Sequence, residues 1–265
     1  ETLIRDPYAI YARHILGLKP MDVIDADPGA AERGNIIHNI LEDFISKFPK
    51  ELPGNPEKSL LSIGKCHFDN HITRPGVRAF WWPRFQRMAS WFVKNEQQRR
   101  EMGWQPLALE RKGSRTFPGY EKTFTLTARA DRIDINSNGD LSIIDYKTGV
   151  PPSDKQVAIG LAPQLPLEAA IAAIGGFEDI NSQTVSNLIY IQISGGRQPG
   201  LERSIKLEVT RTVENSVNGL MRLIHKYENP ATPYLSQPRP MFANKFGNYN
   251  HLARLKEWQG RKDKI

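Results

Sequence analysis

The fold is decided by two short segments, ADRIDI at residues 130–135 and LSIIDYKTG at residues 141–149. Apolar and polar side chains alternate along much of both, and the NSNGD cluster between them is typical of a hairpin turn. A hairpin with this five-residue turn pairs residues whose numbers sum to 276, which places Asp131 directly opposite Asp145, with Cβ atoms about 5 Å apart. Lys147 lies two residues beyond Asp145 and therefore projects from the same face of the sheet.

The two facing carboxylates indicate a metal site. They repel each other across the ladder, so a cation is needed to offset their charges. Mg²⁺ or Mn²⁺ suits such oxygen ligands and can also bind a substrate phosphate, and the ammonium of Lys147 would orient water or stabilise charge on phosphorus. The pattern therefore predicts phosphodiester hydrolysis. An alternative stays open, in which Asp131 pairs with Arg129 or Arg132 as an ordinary ion pair. Asp145 would then pair with Lys147 in the same way.

The chain before the hairpin has the spacing of helices. Asp6 followed by Pro7 is the start signal of a first helix, which Gly17 ends. A second helix is predicted from 30 to 48, where isoleucine, leucine and phenylalanine side chains form one apolar arc. Most of 59–103 is also helical by its spacing. Trp81, Phe85 and Phe92 fall at helical spacing in that segment and are predicted to be core, with its arginines facing solvent.

The segments around the hairpin predict a sheet and further helices. They are a strand at 107–111, another that runs from 123 into the hairpin, a helix at 162–174, strands at 186–194 and 204–209, and a helix at 212–228. With the helices that precede them, this order predicts a mixed α/β fold in which helices cover a central sheet.

Length and composition bound the class of protein. The 265 residues predict a single folded unit with a helical part at 1–104, an α/β core at 105–229 and a basic tail at 230–265. No apolar run is long enough for a membrane span, which excludes an integral membrane protein. The 36 basic against 29 acidic residues favour a polyanionic partner, and the single cysteine, Cys66, excludes a disulfide framework and points to the cytoplasm. Because the first residue is Glu1 rather than Met, the chain is expected to be a fragment of a longer one.

Several motifs together resemble one enzyme family. IDYKTG preceded by ADRID is similar to the core of the RecB-type nucleases of the PD-(D/E)XK superfamily, and RDPYAIYAR at 5–13 and ERGNIIH at 32–38 resemble its N-terminal motifs. The similarity spans roughly 2–175 and is greatest to the C-terminal nuclease domains of the AddB family, subunits of bacterial helicase–nucleases. It implies a restriction-endonuclease-like α/β fold with a mixed central sheet flanked by helices, here with N-terminal and mid-chain helical additions.

The resemblance also implies the roles of individual residues. The metal ligands it assigns are the side chains of His38, Asp131 and Asp145 and the backbone carbonyl of Tyr146. Lys147 takes the place of the catalytic lysine. Gln164 matches the glutamine of the family's Q-x-x-x-Y helix motif and is counted with the catalytic residues, although Glu168 stands where the motif has tyrosine. Glu110 is a further candidate, as an outer or second-metal carboxylate at a strand end.

The expected cofactor and partners follow from the same resemblance. The metal is expected to be Mg²⁺, with Mn²⁺ as a substitute, and the substrate DNA, chiefly single-stranded ends, processed beside an AddA-like helicase–nuclease subunit at the nucleoid of the bacterial cytoplasm. Many family members also hold an iron–sulfur cluster through four cysteines, and one cysteine cannot form it. The N- and C-terminal segments are therefore expected to be joined by packing or hydrogen bonds, with Tyr249, His251 and Trp258 as candidates.

Two other functions stay open at this point. A catalytically silent DNA-binding or scaffold module of the same fold is favoured by the missing tyrosine at position 168 and by the lost cluster. A hydrolase of small phosphate esters fits the same three charged side chains, although the basic tail argues against it. Since Asp131, Asp145 and Lys147 are all present, we expect a metal-dependent exonuclease that acts in double-strand break repair and recombination.

Overall fold

A five-stranded mixed sheet forms the centre of the structure, a computed structural model that describes residues 1–19, 29–72, 74–119, 122–239, 241, 247–254 and 257. The strands are β1 (Gln105–Phe117), β2 (Phe124–Ile135), β3 (Leu141–Lys147), β4 (Val185–Ile193) and β5 (Gly200–Ser204). The helices are α1 (Thr2–Arg5), α2 (Pro7–Ile10), which continues as a π-helix (Tyr11–Ile15), α3 (Ala30–Lys47), α4 (Pro56–His71), α5 (Pro75–Glu101), α6 (Asp154–Ala158), α7 (Gln164–Ala172) and α8 (Val209–Glu228).

The hairpin of β2 and β3 has the register that the sequence predicts. The strands lie in the order β1-β2-β3-β4-β5, where β3 and β4 are parallel and all other neighbours are antiparallel. Arg132 pairs with Ile144 and Ile135 with Leu141, so the numbers of the paired residues sum to 276. The ladder ends at Arg132 and Ile144, and the same register continued by one residue places Asp131 opposite Asp145.

Helices cover both faces of the sheet, and β3 is therefore buried on each side. On one face Ile144 and Tyr146 pack with apolar residues of α3, α4 and α5. On the other face Ile133 and Ile143 pack with residues of α7 and the segments around it. Since successive side chains of a strand point to opposite faces, Asp145 and Lys147 face the α7 layer, away from Tyr146.

A buried network of charges ties α5 to the sheet on the face of Ile144 and Tyr146. Arg132 is fully buried and donates to Glu96 at 2.6 Å and to Asp134 at 2.6 Å. Arg99 donates to Asp134 at 2.8 Å and reaches Glu202 of β5 at 3.1 Å. Burial alone would raise the pKa of Glu96, but Arg132 and Arg100 beside it hold that pKa below its ordinary value. The charges that enter this core are therefore paired.

The N- and C-terminal segments are joined by hydrogen bonds, as the sequence predicts. The Asp6 carboxylate accepts the backbone N–H of Gln237 at 3.3 Å, and the hydroxyl of Tyr249 donates to the carbonyl of Leu18 at 2.8 Å. Asp6 precedes Pro7 at the start of α2, but its side chain does not cap that helix. His251 is exposed, and Trp258 lies outside the described residues.

Several predictions of local structure need correction. The strand predicted at 204–209 is wrong: β5 ends at Ser204, and α8 already begins at Val209. The carboxylate of Glu208 accepts the first N–H groups of α8, which ends the extended segment before it. Strand β1 is longer than predicted, and 59–103 divides into α4 and α5. The arginines of α5 were expected to face solvent, yet Arg99 is 3% exposed. None of the described helices is both long and apolar enough to cross a membrane.

Candidate active site

The end of β3 presents Asp145 and Lys147 beside the start of α7. Asp145 is 1% exposed and sits at the far end of a strand that is buried along its length. The ammonium of Lys147 donates to Asp145 Oδ1 at 2.8 Å and lies 2.7 Å from Oδ2. The Lys147 side chain is one-third exposed, so its charge is reachable from solvent while its partner is not.

Gln164 joins both charged groups to α7. Its Nε2 donates to Asp145 Oδ1 at 2.6 Å, and its Oε1 accepts from Lys147 at 3.1 Å. The same Nε2 lies 3.1 Å from Glu168 Oε1, one turn further along the helix. Gln164 and Glu168 therefore share a helix face, as their spacing predicts. The amide holds the lysine and the aspartate in one arrangement, because it serves as donor to one and acceptor to the other.

Asp131 and His38 are linked through the backbone of Tyr146. The Asp131 carboxylate accepts the N–H of Tyr146 at 2.9 Å, and His38 Nε2 donates to the carbonyl of the same residue at 2.9 Å. Because a carbonyl oxygen can only accept, this bond places a proton on Nε2, and in the neutral imidazole Nδ1 then carries a lone pair. Nδ1 faces the Asp131 carboxylate at 3.5 Å, where it can act as a metal ligand.

Glu110 completes a group of three potential ligands. One ligand atom each from His38, Glu110 and Asp131 lies within 4.8 Å of the others. Glu110 interrupts β1 opposite Asp131 with a φ of 46°, in the left-handed region that non-glycine residues avoid. Such backbone strain is typical of functional sites, and here it accompanies a carboxylate that meets the end of the hairpin. Arg129 contacts this carboxylate at 2.8 Å from the solvent side.

The carboxylates of the site are crowded, and their pKa values are raised. Burial, followed by the charge of Asp131, raises the pKa of Asp145 to about 6 although Lys147 opposes the shift. Burial and then Asp131 also raise the pKa of Glu110. Burial raises the pKa of Glu168 to about 8, against the hydrogen bond from Gln164. Carboxylates that repel one another in this way, with an imidazole beside them, fit a divalent cation as the missing charge.

The ordinary ion pairs considered as an alternative are formed only in part. Arg132 is committed to Glu96 and Asp134 on the other face of the sheet, and Arg129 contacts Glu110. Neither arginine therefore neutralises Asp131. The pair of Asp145 with Lys147 does form. The structure brings Lys147 and Gln164 against Asp145, and it places one ligand atom each of His38, Glu110 and Asp131 within 4.8 Å of the others.

The chain belongs to the PD-(D/E)XK nuclease superfamily, whose family model matches residues 1–236. An uncharacterised protein of Rickettsia bellii is 28% identical over 266 residues, which cover 95% of this chain and 31% of that protein. An uncharacterised protein of Rickettsia felis is 30% identical over 193 residues, which cover 71% of this chain and 22% of the Rickettsia protein. The chain thus spans a third or less of these relatives. The crystal structure of SSO0001 aligns with a TM-score of 0.28 and 14% identity, covering 72% of this chain and 87% of that one.

Proposed function

We propose that this chain is a metal-dependent DNA nuclease that hydrolyses phosphodiester bonds at the end of β3. The observation that carries the proposal is the convergence of His38, Glu110 and Asp131 within 4.8 Å, beside the pair of Asp145 and Lys147. Superfamily membership supports the reaction class.

The proposed metal group starts from His38 and the carboxylates of Glu110 and Asp131, whose ligand atoms lie within 4.8 Å of one another. The carboxylate of Asp145 and the carbonyl oxygen of Tyr146 are proposed as further ligands. A bound Mg²⁺ or Mn²⁺ would supply an acidic water and a charge that attracts the scissile phosphate. Asp145 links the metal group to Lys147, since its carboxylate contacts the ammonium. The Tyr146 carbonyl already accepts from His38 and has one lone pair left.

Lys147 is proposed as the catalytic cation. Its ammonium is held at 2.8 Å from Asp145 and 3.1 Å from Gln164, so it cannot turn away from the site without losing both bonds. One N–H of the three then remains to orient the attacking water or to bind the phosphate oxygen on which charge develops. Gln164 is proposed to hold the side chains of Lys147 and Asp145 in a fixed position relative to each other. Glu168 lies behind it and occupies the position of the family's tyrosine.

We infer further that the substrate is the single-stranded end of DNA, that the preferred metal is Mg²⁺, and that cleavage is exonucleolytic. The similarity of IDYKTG and ADRID to the AddB family supports a place in a helicase–nuclease that prepares broken ends for recombination, with an AddA-like subunit as partner. The excess of 36 basic over 29 acidic residues is consistent with a polyanionic substrate.

The proposal is tested by digestion of end-labelled single-stranded and duplex DNA with Mg²⁺, Mn²⁺ or EDTA. We expect metal-dependent cleavage that Lys147→Ala and Asp145→Ala each lower by at least about 10²-fold. Lys112→Ala removes an exposed lysine of β1 and serves as the matched control, with unchanged cleavage expected. Mononucleotide products from labelled ends would identify an exonuclease.

Three results would count against the proposal. Cleavage that persists in EDTA would exclude the metal, and equal cleavage by Lys147→Ala would exclude the lysine. DNA binding without turnover in any divalent metal, with or without the partner subunit, would identify a silent binding module instead.

A further inference from the structure

A second feature of the α7 layer is a groove of about 900 Å³ beside the candidate site. Its walls are formed by α8, by the connection between α6 and α7, and by the N-terminal segment. Pro163, which directly precedes α7, and Leu167 of α7 line it. Gln164, which contacts Asp145 and Lys147, follows Pro163 and is exposed, so the groove and the candidate site share the start of α7.

The charge of the groove is positive and uncompensated. Arg222, Lys226 and Arg239 line it, all three are exposed, and none forms an ion pair with any residue the structure describes. The acidic residue in its lining is Glu1, whose carboxylate is paired with Arg5 at 2.9 Å. Three cations in one concave surface attract a polyanion, and no ion pair among the described residues must be broken on binding it. The Lys226 ammonium lies 5.5 Å from the centroid of the Tyr227 ring, a contact with which a bound phosphate would compete.

The polar stripe of α8 that lines the groove is long enough to contact a few nucleotides of single-stranded nucleic acid. Asn215, Gly219, Arg222 and Lys226 follow one another at three- and four-residue spacing and lie on one side of the helix. At 1.5 Å per residue, the eleven steps from Asn215 to Lys226 correspond to about 16 Å. That is room for a few nucleotides of an extended strand, with amide groups beside the cations to bind phosphate or base edges.

Aromatic rings continue the groove at its far end. Tyr227 lines it and lies 4.9 Å from the ring of Tyr234, which in turn lies 5.7 Å from Tyr11. Each of these tyrosines is partly exposed. A positively charged groove with aromatic faces is the combination that binds single strands without sequence preference, because every base can stack. Leu3, Ile4, Leu167 and Leu223 add apolar surface to the lining, on which bases can also pack, and the cations favour a nucleic acid over an apolar helix.

We propose that this groove binds the single-stranded DNA on its way to or from the candidate site. Arg222, Lys226 and Arg239 neutralise phosphates, and Tyr227 stacks against a base. The inference rests on the proposed function for its substrate, but it concerns binding and does not require cleavage. It assigns the α8 groove as the path of the strand.

The test measures binding in EDTA, where no turnover occurs. The probe is a fluorescein-labelled oligothymidylate about 12 nucleotides long, followed by fluorescence anisotropy between low and high salt. We expect the triple variant Arg222→Ala/Lys226→Ala/Arg239→Ala to reduce the slope of log affinity against log salt by about 2, because each lost phosphate contact on a single strand contributes roughly 0.7. At 0.1 M salt the affinity should fall on the order of 10- to 100-fold.

A second triple variant has the same change of net charge. Lys50→Ala/Lys58→Ala/Arg211→Ala removes three exposed cations that do not line the groove, and it should leave the slope within about 0.5 of the wild type. Both variants are first compared with the wild type by circular dichroism and melting temperature. An equal loss of slope in the two variants would overturn the proposal, since it would show an effect of net charge alone.

Photocrosslinking locates the strand independently. An oligonucleotide that carries 5-iododeoxyuridine is expected to crosslink to the peptide containing Tyr227, and crosslinks confined to α4 and α5 would overturn the proposal. The two proposals fail separately. Groove-dependent binding without cleavage in Mg²⁺ supports the groove and contradicts the nuclease. Unchanged binding by the groove variant, with intact cleavage, contradicts the groove alone.

Discussion

Replacing Arg132 by methionine is expected to destabilise the fold strongly, although the residue lies outside the candidate site. Its guanidinium forks onto two buried carboxylates, with Nη1 at 2.6 Å from Glu96 and Nε at 2.6 Å from Asp134. Nη1 also donates to the hydroxyl of Tyr146 at 3.2 Å. The substitution leaves both carboxylates without their common partner, in a region where water cannot replace it.

The magnitude follows from what remains after the substitution. Removing one partner of a buried ion pair costs about 3–5 kcal/mol. Asp134 keeps Arg99, and Glu96 keeps Arg100 at 2.7 Å, so the lower end of that range applies. A cost of about 3 kcal/mol lowers the melting temperature of a protein of this size by roughly 6–12 °C. Tyr146→Phe removes a single hydrogen bond and should cost about 1 kcal/mol, or roughly 2–4 °C.

Thermal unfolding followed by circular dichroism at pH 7.5 in EDTA measures both variants against the wild type. The order of melting temperatures is expected to be wild type, then Tyr146→Phe, then Arg132→Met. The acid side gives a second check. Because the pKa of Glu96 is lowered on folding, its contribution to stability is present at neutral pH and is lost as the pH falls through that pKa. If Arg132→Met melts within about 2 °C of the wild type, the network does not stabilise the fold as argued.

Three further predictions concern the site and the termini. Ionisation of Asp145, whose pKa is raised to about 6, destabilises the metal-free fold as the pH rises from about 4 to 6. Asp145→Asn should therefore raise the free energy of unfolding in EDTA by up to about 3 kcal/mol at pH 7.5, and with it the melting temperature, but not at pH 4; the opposite order would contradict the sign. Glu110→Gln should raise the half-saturating Mg²⁺ concentration for cleavage at least about tenfold, whereas the exposed Glu57→Gln should not; equal values would remove Glu110 from the metal group. Tyr249→Phe should lower the melting temperature by roughly 2–4 °C through loss of its bond to Leu18, and an unchanged value would mean that the bond adds no stability.

The hairpin was predictable because its information is local. Residues 130–149 contain both strands and their turn, and a period of two leaves one register that buries the isoleucines of both. Residues 204–209 show the same alternation and were misread for that reason. Ile205 and Leu207 do pack against the core, but from the irregular segment that leads into α8, and Val209 does so as the first residue of that helix. Alternation reports burial, and a strand requires a neighbour that only the tertiary structure supplies.

Glu110 was a candidate from its place at a strand end, but its position at Asp131 and the burial of Arg99 were beyond the sequence for a different reason. The register between β1 and β2 shifts between Pro106 and Ala108, so no count along the chain places Glu110 opposite Asp131. Helical spacing assigned the arginines of α5 to the solvent side. The periodicity of one helix cannot show that a buried carboxylate on β2, here Asp134, lies within reach of Arg99. Both features depend on contacts between segments that are distant in sequence.

The two faces of the central hairpin treat their charges in opposite ways, and this contrast is the strongest argument for a cation at the site. Arg132 and Tyr146 point to the face where the pKa of Glu96 is lowered, because each buried carboxylate there has a guanidinium partner. Asp131 and Asp145 occupy the adjacent positions on the same strands, and there the pKa of Asp145 is raised to about 6 despite its bond to Lys147. The same strands place an arginine beside the buried carboxylates on one face. The excess of carboxylates on the other face is therefore confined to the site. A bound divalent cation would remove it and restore the balance that the opposite face already has.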